Sequence, residues 1–136
     1  MKFTLPKGKY YIGDPCYVFS HDTKSWEELL ELTNYFDGEL YEFKGYPIFA
    51  YSTAWGDGVY VDNYDRAYGV DAGLIGIVDV RLIEINKDDC KKLFSRDGIG
   101  HIFTFKNEFE IETDEKGWFR FDNIEINTKD DPLGEY

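Results

Sequence analysis

The 136 residues carry 27 acidic against 15 basic side chains, for a formal net charge of −12, with 43% hydrophobic and 18% aromatic residues. That apolar content supplies one packed core and excludes general disorder. A surface of this sign repels phosphate backbones and anionic lipid, which argues against direct nucleic-acid and membrane binding and leaves plain solubility or a basic protein partner.

Two cysteines, Cys16 and Cys90, are too few for a disulfide framework. The opening MKFTLPKGKYY lacks the apolar stretch of a secretion signal, and no run approaches the ~18 apolar residues of a membrane span. The expected setting is the reducing cytoplasm. Residues 1–127 read as a single α+β domain, and 128–136 (TKDDPLGEY) as a frayed tail.

In chain order, KYYIGDPCYVF reads as a strand interrupted at Gly13-Asp14-Pro15, because proline lacks a donor and restricts its predecessor. Ser25 and Glu28 form a capping box ahead of Trp26, Leu29, Leu30, Thr33 and Phe36 at helical spacing, with Asp37-Gly38 as the stop. YPIFAYSTA and GVYVDNY read as strands joined through Gly56-Asp57-Gly58. In RAYGVDAGLIGIVDVRLIEI each interior glycine would cost a helix ~1 kcal/mol, so two strands meeting near Asp71-Ala72-Gly73 are expected.

A short second helix is expected from Asn86, with Cys90, Leu93 and Phe94 on one face. Beyond it, Phe103, Phe105, Phe109, Ile111 and Thr113 all fall on odd positions, as half-buried strands require. DEKG at 114–117 reads as a turn, after which Phe119 and Phe121 continue the apolar face and Ile124 and Ile126 make one more strand. The expected fold is α+β: a mostly antiparallel sheet, as a small sandwich or half-barrel, with one or two helices packed against it.

Few residues suggest chemistry. Cys16 would need His21 or His101 to become a nucleophile, and Asp14 beside it would raise its pKa, so a small buried hydrophobe competes with the catalytic reading. Asp57, Asp62 and Asp65 would serve a metal if they converged, but their spacing is not that of a calcium loop, and turn aspartates bond their own backbone. No phosphate-binding loop or nucleophile elbow is present, so no catalytic residue, metal ligand or cofactor is assigned.

The stretches GDPCY (13–17) and GVDAGLIG (69–76) each set an aspartate and glycine into an apolar strand. An acid there must be hydrogen-bonded or face a pocket. Either Asp14 and Asp71 brace bends of the sheet, or they share one concave site walled by Tyr17, Trp55, Tyr60 and Tyr68.

At these stretches the chain resembles a group of uncharacterised bacterial and phage proteins that carry G-D-P followed by an aromatic and, later, V-D-A-G with another glycine. The matching residues are Gly13, Asp14, Pro15 and Tyr17, then Val70, Asp71, Ala72, Gly73 and Gly76, with GDGVYVDN between them. The likeness spans roughly residues 8 to 80, and a broader bacterial domain of unknown function has similar signatures. The resemblance implies no activity. It does imply a prokaryotic or phage setting, in which small acidic proteins often neutralise toxins or defence systems.

Three readings follow. The leading one is a non-enzymatic inhibitor, immunity or anti-defence factor, with Trp55, Tyr60, Tyr64 and Tyr68 as anchors and Asp57, Asp62 and Asp65 steering a basic partner. The second is a protein that binds or sequesters a small molecule, such as a nucleotide, through Asp14, Tyr17, Trp55 and Asp71, with Arg66 and Arg81 as the nearby cations. The third is a small hydrolase using Cys16 or a metal held by Asp57, Asp62 and Asp65.

Overall fold

A computed structural model describes residues 1–19, 23–83, 100–114 and 117–129. Its centre is a five-stranded antiparallel sheet in the order β3-β4-β7-β2-β8, formed by β2 (Gly8–Gly13), β3 (Tyr41–Phe43), β4 (Tyr46–Ser52), β7 (Leu74–Asp79) and β8 (Gly100–Phe105). Strand periodicity explains why this sheet is central. In β2, Tyr10 and Ile12 enter one core and Tyr11 the other. In β7, Ile75 and Ile77 face one way, Leu74 and Val78 the other, and every residue of the strand is buried.

One face is covered by helices: α1 (Cys16–Phe19), α2 (Thr23–Leu32) and α3 (Val80–Ile83). They supply Val18, Phe19, Leu29, Leu82 and Ile83 to the core there. The opposite face packs on a four-stranded antiparallel sheet in the order β1-β9-β10-β11, made of β1 (Lys2–Leu5), β9 (Phe109–Thr113), β10 (Trp118–Phe121) and β11 (Ile124–Asn127). The alternation of the last third does what it predicts: Phe105 and Phe109 stack with centroids 3.8 Å apart, both against Tyr10. The fold is therefore α+β, an open sandwich of antiparallel sheets.

The hairpin of β5 (Gly58–Val61) and β6 (Ala67–Val70) closes one side of the sandwich. Asp62 bridges to Ile126, and the Asn63 N–H donates to the Glu125 carbonyl at 3.0 Å. On the hairpin's other flank a His101 ring nitrogen lies 2.7 Å from the Ala67 carbonyl of β6. The opposite side, between β1 and β3, has no such bridge among the described residues.

The glycines of GDP and GLIG meet in this sheet. Gly76 pairs with Gly13 on one side and Ala50 on the other, and Gly13 pairs with Gly100. A Cβ on Gly100 would lie 2.5 Å from the Tyr11 ring, which crosses the row to donate its hydroxyl to the Asp14 carbonyl at 3.0 Å.

Several local expectations change. Helix α2 begins at Thr23, ahead of Ser25, and ends at Leu32 instead of running to Asp37. Thr33 ends it: its hydroxyl donates to the Leu29 carbonyl at 2.6 Å and accepts the Phe36 N–H at 3.0 Å, while Asn34, Tyr35 and Phe36 turn to positive φ. Val80–Ile83 is a helical turn where strand is expected, because the Asp79 carboxylate accepts the Arg81 N–H at 2.9 Å and caps it. Strand β4 pairs with β7 and β5 with β6, so Gly56-Asp57-Gly58 connects two sheets. The helix expected from Asn86, Cys90 and His21 lie outside the described residues. Thr128 is fully buried, although it opens the stretch expected to fray.

Replacing Gly76 by alanine would place a methyl 2.1 Å from the Phe49 carbonyl oxygen and 2.6 Å from the Ala50 Cβ. Strand β4 would have to move off β7, and the expected loss is about 3 kcal/mol or more, read as a lower urea midpoint.

Candidate binding surface

The sequence candidates gather at the two ends of the β5–β6 hairpin. At one end stand Asp14, Tyr17, Trp55, Asp57 and Asp71. The Asp14 side chain is fully buried; Oδ1 accepts the Cys16 N–H at 2.9 Å, and Oδ2 accepts the N–H groups of Asp71 and Ala72 at 2.8 and 2.7 Å. Burial pushes this carboxyl above its ordinary value against the pull of those three donors. Asp14 thus ties the end of β2 to the β6–β7 turn, and Asp71 contributes its backbone to that tie while its side chain stays exposed.

Above this tie the β4–β5 loop is held by Thr53, whose N–H donates to the Gly73 carbonyl at 3.0 Å and whose hydroxyl donates to Gly56 at 2.7 Å. A Cβ on Gly73 would lie 4.0 Å from the Asp57 Oδ1, so Asp57 sits against the turn that carries Asp71. Trp55, 59% exposed, projects from the same loop, its indole N–H donating to the Lys129 carbonyl at 2.7 Å. Tyr60 is buried with its hydroxyl on the Gly56 carbonyl at 2.9 Å, a support beneath the loop. Tyr17 is half-buried in α1.

At the other end stand Asp62, Tyr64, Asp65 and Tyr68. The buried Asp62 carboxylate accepts four donors: the N–H groups of Tyr64 (2.8 Å) and Arg66 (3.0 Å), the Arg66 Nε (2.8 Å) and the Tyr68 hydroxyl (2.7 Å). Burial alone would raise its pKa, but these donors outweigh it and hold the carboxyl below its ordinary value. Burial and the Asp62 carboxylate push the Tyr68 phenol up. The Arg66 guanidinium lies 4.9 Å from the Tyr64 ring centroid and 4.7 Å from that of Phe103, and His101 meets Tyr68 edge-on at 5.0 Å. Tyr64 is about half exposed, and Asp65, at φ 63°, is exposed in the turn.

Chemically, the first end offers an exposed indole on the β4–β5 loop, with exposed carboxylates on the same loop (Asp57) and on the β6–β7 turn it rests on (Asp71), residue types suited to Lys and Arg side chains. The second is a satisfied knot with its carboxylate filled. The Cys16 thiol is buried and pushed up by burial and by Asp14, the reverse of an activated nucleophile. Among the described residues no three His, Cys, Asp or Glu side chains are placed to hold a metal ion.

Sequence reasoning missed two partners. Lys129 holds Trp55 from the stretch expected to fray. A second acid–arginine pair, Asp79 with Arg81 (Nε–Oδ1 3.0 Å, Nη2–Oδ2 2.6 Å), lies beneath the Tyr46 ring; an aspartate inside IVDV followed by Arg was its only signal.

The two buried acids have distinct expected signatures. Asp14→Asn would turn an amide NH2 toward existing donors, costing about 2 kcal/mol in chemical denaturation. Asp62 titrates lower folded than unfolded, so its stabilisation is full above pH ~4 and fades as pH falls through the folded value. The stability gap between the wild type and Asp62→Asn should therefore narrow on acidification.

Comparison with protein-family models, curated proteins and solved structures returns no match, so the functional reading rests on this geometry and charge.

Proposed function

We propose that the protein is a non-enzymatic binding protein that presents the Trp55–Asp57–Asp71 rim to a basic partner protein, as an inhibitor or immunity-type factor. One observation carries the reading: a large indole is held out to solvent by a hydrogen bond to Lys129 instead of folding into an aromatic-rich core. An indole buries a large apolar area when covered, and tryptophan is among the most common interface anchors. The net charge of −12 would speed encounter with a cationic surface and reject acidic competitors. The partner class comes from the sequence alone: the G-D-P and V-D-A-G stretches, read as those of bacterial and phage proteins, would make such a partner a toxin or defence component.

The test is affinity capture from a bacterial lysate with the wild type, Trp55→Ala and the pair Asp57→Asn/Asp71→Asn. The expected result is one stoichiometric basic protein, recovered less at high salt. In the purified pair Trp55→Ala should cost about 2 kcal/mol, roughly thirtyfold in Kd. The double variant should mainly slow association. A complex indifferent to salt and to both changes would overturn the proposal.

A further inference from the structure

A cavity at the β3 end of the central sheet holds two opposite charges that do not meet. It measures about 440 Å³, within the range of small-ligand sites, and both Glu42 and Arg81 line it. Strand register keeps the two apart. Glu42 of β3 pairs with Pro47 of β4, and the pairing of Ile48 with Val78 puts Pro47 opposite Asp79 of β7. Glu42 and Asp79 are therefore two strand spacings apart, roughly 10 Å, on one face of the sheet. Only the short ring of Pro47 lies between them.

Arg81 is fixed on the Asp79 side. Its Nε and Nη2 donate to the Asp79 carboxylate at 3.0 and 2.6 Å, and its guanidinium carbon lies 4.2 Å from the Tyr46 ring centroid. Tyr46 covers one face of the guanidinium. The side chain is still 57% exposed, so the other face is left to the cavity. Among the described residues Arg81 is the one basic side chain in the wall, and Asp79 already meets its charge. Across Pro47, the exposed Glu42 carboxylate takes no hydrogen bond or ion pair among the described residues. Leu5, Leu40 and Pro47 supply apolar wall.

These features restrict what fits. A guanidinium plane stacks on flat aromatic rings, as it does on Tyr46. A carboxylate accepts and cannot donate, and its two oxygens suit two adjacent donors on one edge. A phosphate on the ligand would find no uncommitted cation in this wall and would meet a net charge of −12. Among the nucleobases guanine alone sets two neighbouring donors, N1–H and N2–H2, on its pairing edge. Adenine, cytosine and uracil each place an acceptor beside the donor there.

We infer that this cavity binds guanine as an uncharged nucleoside. The ring stacks on the uncovered face of Arg81, and its N1–H and N2–H2 donate to Glu42 across Pro47. Leu5 and Leu40 cover the apolar perimeter of the base. An arginine side chain of a protein partner carries the same paired donors, but it would lay a second cation on the Arg81 face. None of Trp55, Asp57 and Asp71 lines this cavity, so the site and the rim proposal stand or fall separately.

The test is titration with guanosine, followed by NMR through the backbone amides and the arginine Nε–H signals. The expected result is saturable shifts at Glu42, Tyr46 and Arg81, with adenosine and N1-methylguanosine at least about tenfold weaker. Glu42→Gln, at an exposed position, puts one acceptor beside one donor. It should weaken guanosine about tenfold and strengthen adenosine, whose N6–H2 and N1 match that pair. Arg81→Lys keeps a cation on Asp79 but removes the plane, and should weaken guanosine without changing its preference over adenosine. Guanosine monophosphate should bind no tighter than guanosine. Absence of saturable shifts overturns the inference, as does equal binding of adenosine or N1-methylguanosine to the wild type. An unchanged base preference in Glu42→Gln, tighter binding of the monophosphate, or equal affinity for N-acetylarginine amide overturns it too.

Discussion

The fold hangs on a buried carboxylate that serves as a backbone connector. Asp14 sits where β2 must end, because Pro15 cannot extend the ladder. Its two oxygens hold three N–H groups that no strand would otherwise satisfy, one in α1 and two in the β6–β7 turn. Removing such a group costs more than its bonds are worth, since the stranded donors remain out of water. The Gly13–Gly76 pairing beside it lets β2 and β7 run at full contact, and the loop that carries Trp55 is built on the same turn through Thr53 and Gly73.

Asp62 does for the hairpin what Asp14 does for the central sheet. Its four donors come from one short turn and from β6, so one carboxylate cross-braces the turn that meets β11 and β8. Asp79 repeats the device at the end of β7, capping α3 and fixing Arg81 against Tyr46. Three buried aspartates thus occupy three strand ends. Each converts an interruption of the ladder into a rigid corner, and each is thereby removed from the set of acids a partner could meet. The acids left on the rim, Asp57 and Asp71, are those whose side chains the fold does not use in this way.

Legibility followed the range of the interaction. The alternation at 103–113 and the break at Gly13-Asp14-Pro15 are local, and both were readable because period and proline geometry act within a few residues. The end of α2 is not legible in sequence, because Thr33 competes for the backbone more effectively than Gly38 stops it, a contest of side-chain geometry invisible in spacing. The ten candidate residues divide in sequence between a concave site and an acidic aromatic surface, and the hairpin redistributes them to its two ends. Tyr60 and Tyr68 are buried supports; only tertiary burial distinguishes them from Trp55 and Tyr64.

The sequence by itself determined the antiparallel α+β character, the acidic surface and the strand breaks, because apolar period, charge count and proline or glycine chemistry are properties of the chain. Which strands pair, which aspartates are buried and which strands stand at the sheet edges among the described residues were decided only in the tertiary structure. The bond between Asp14 and residues 71 and 72, or between Trp55 and Lys129, joins groups more than fifty positions apart. No local propensity encodes such a meeting; it exists only once the two sheets have packed.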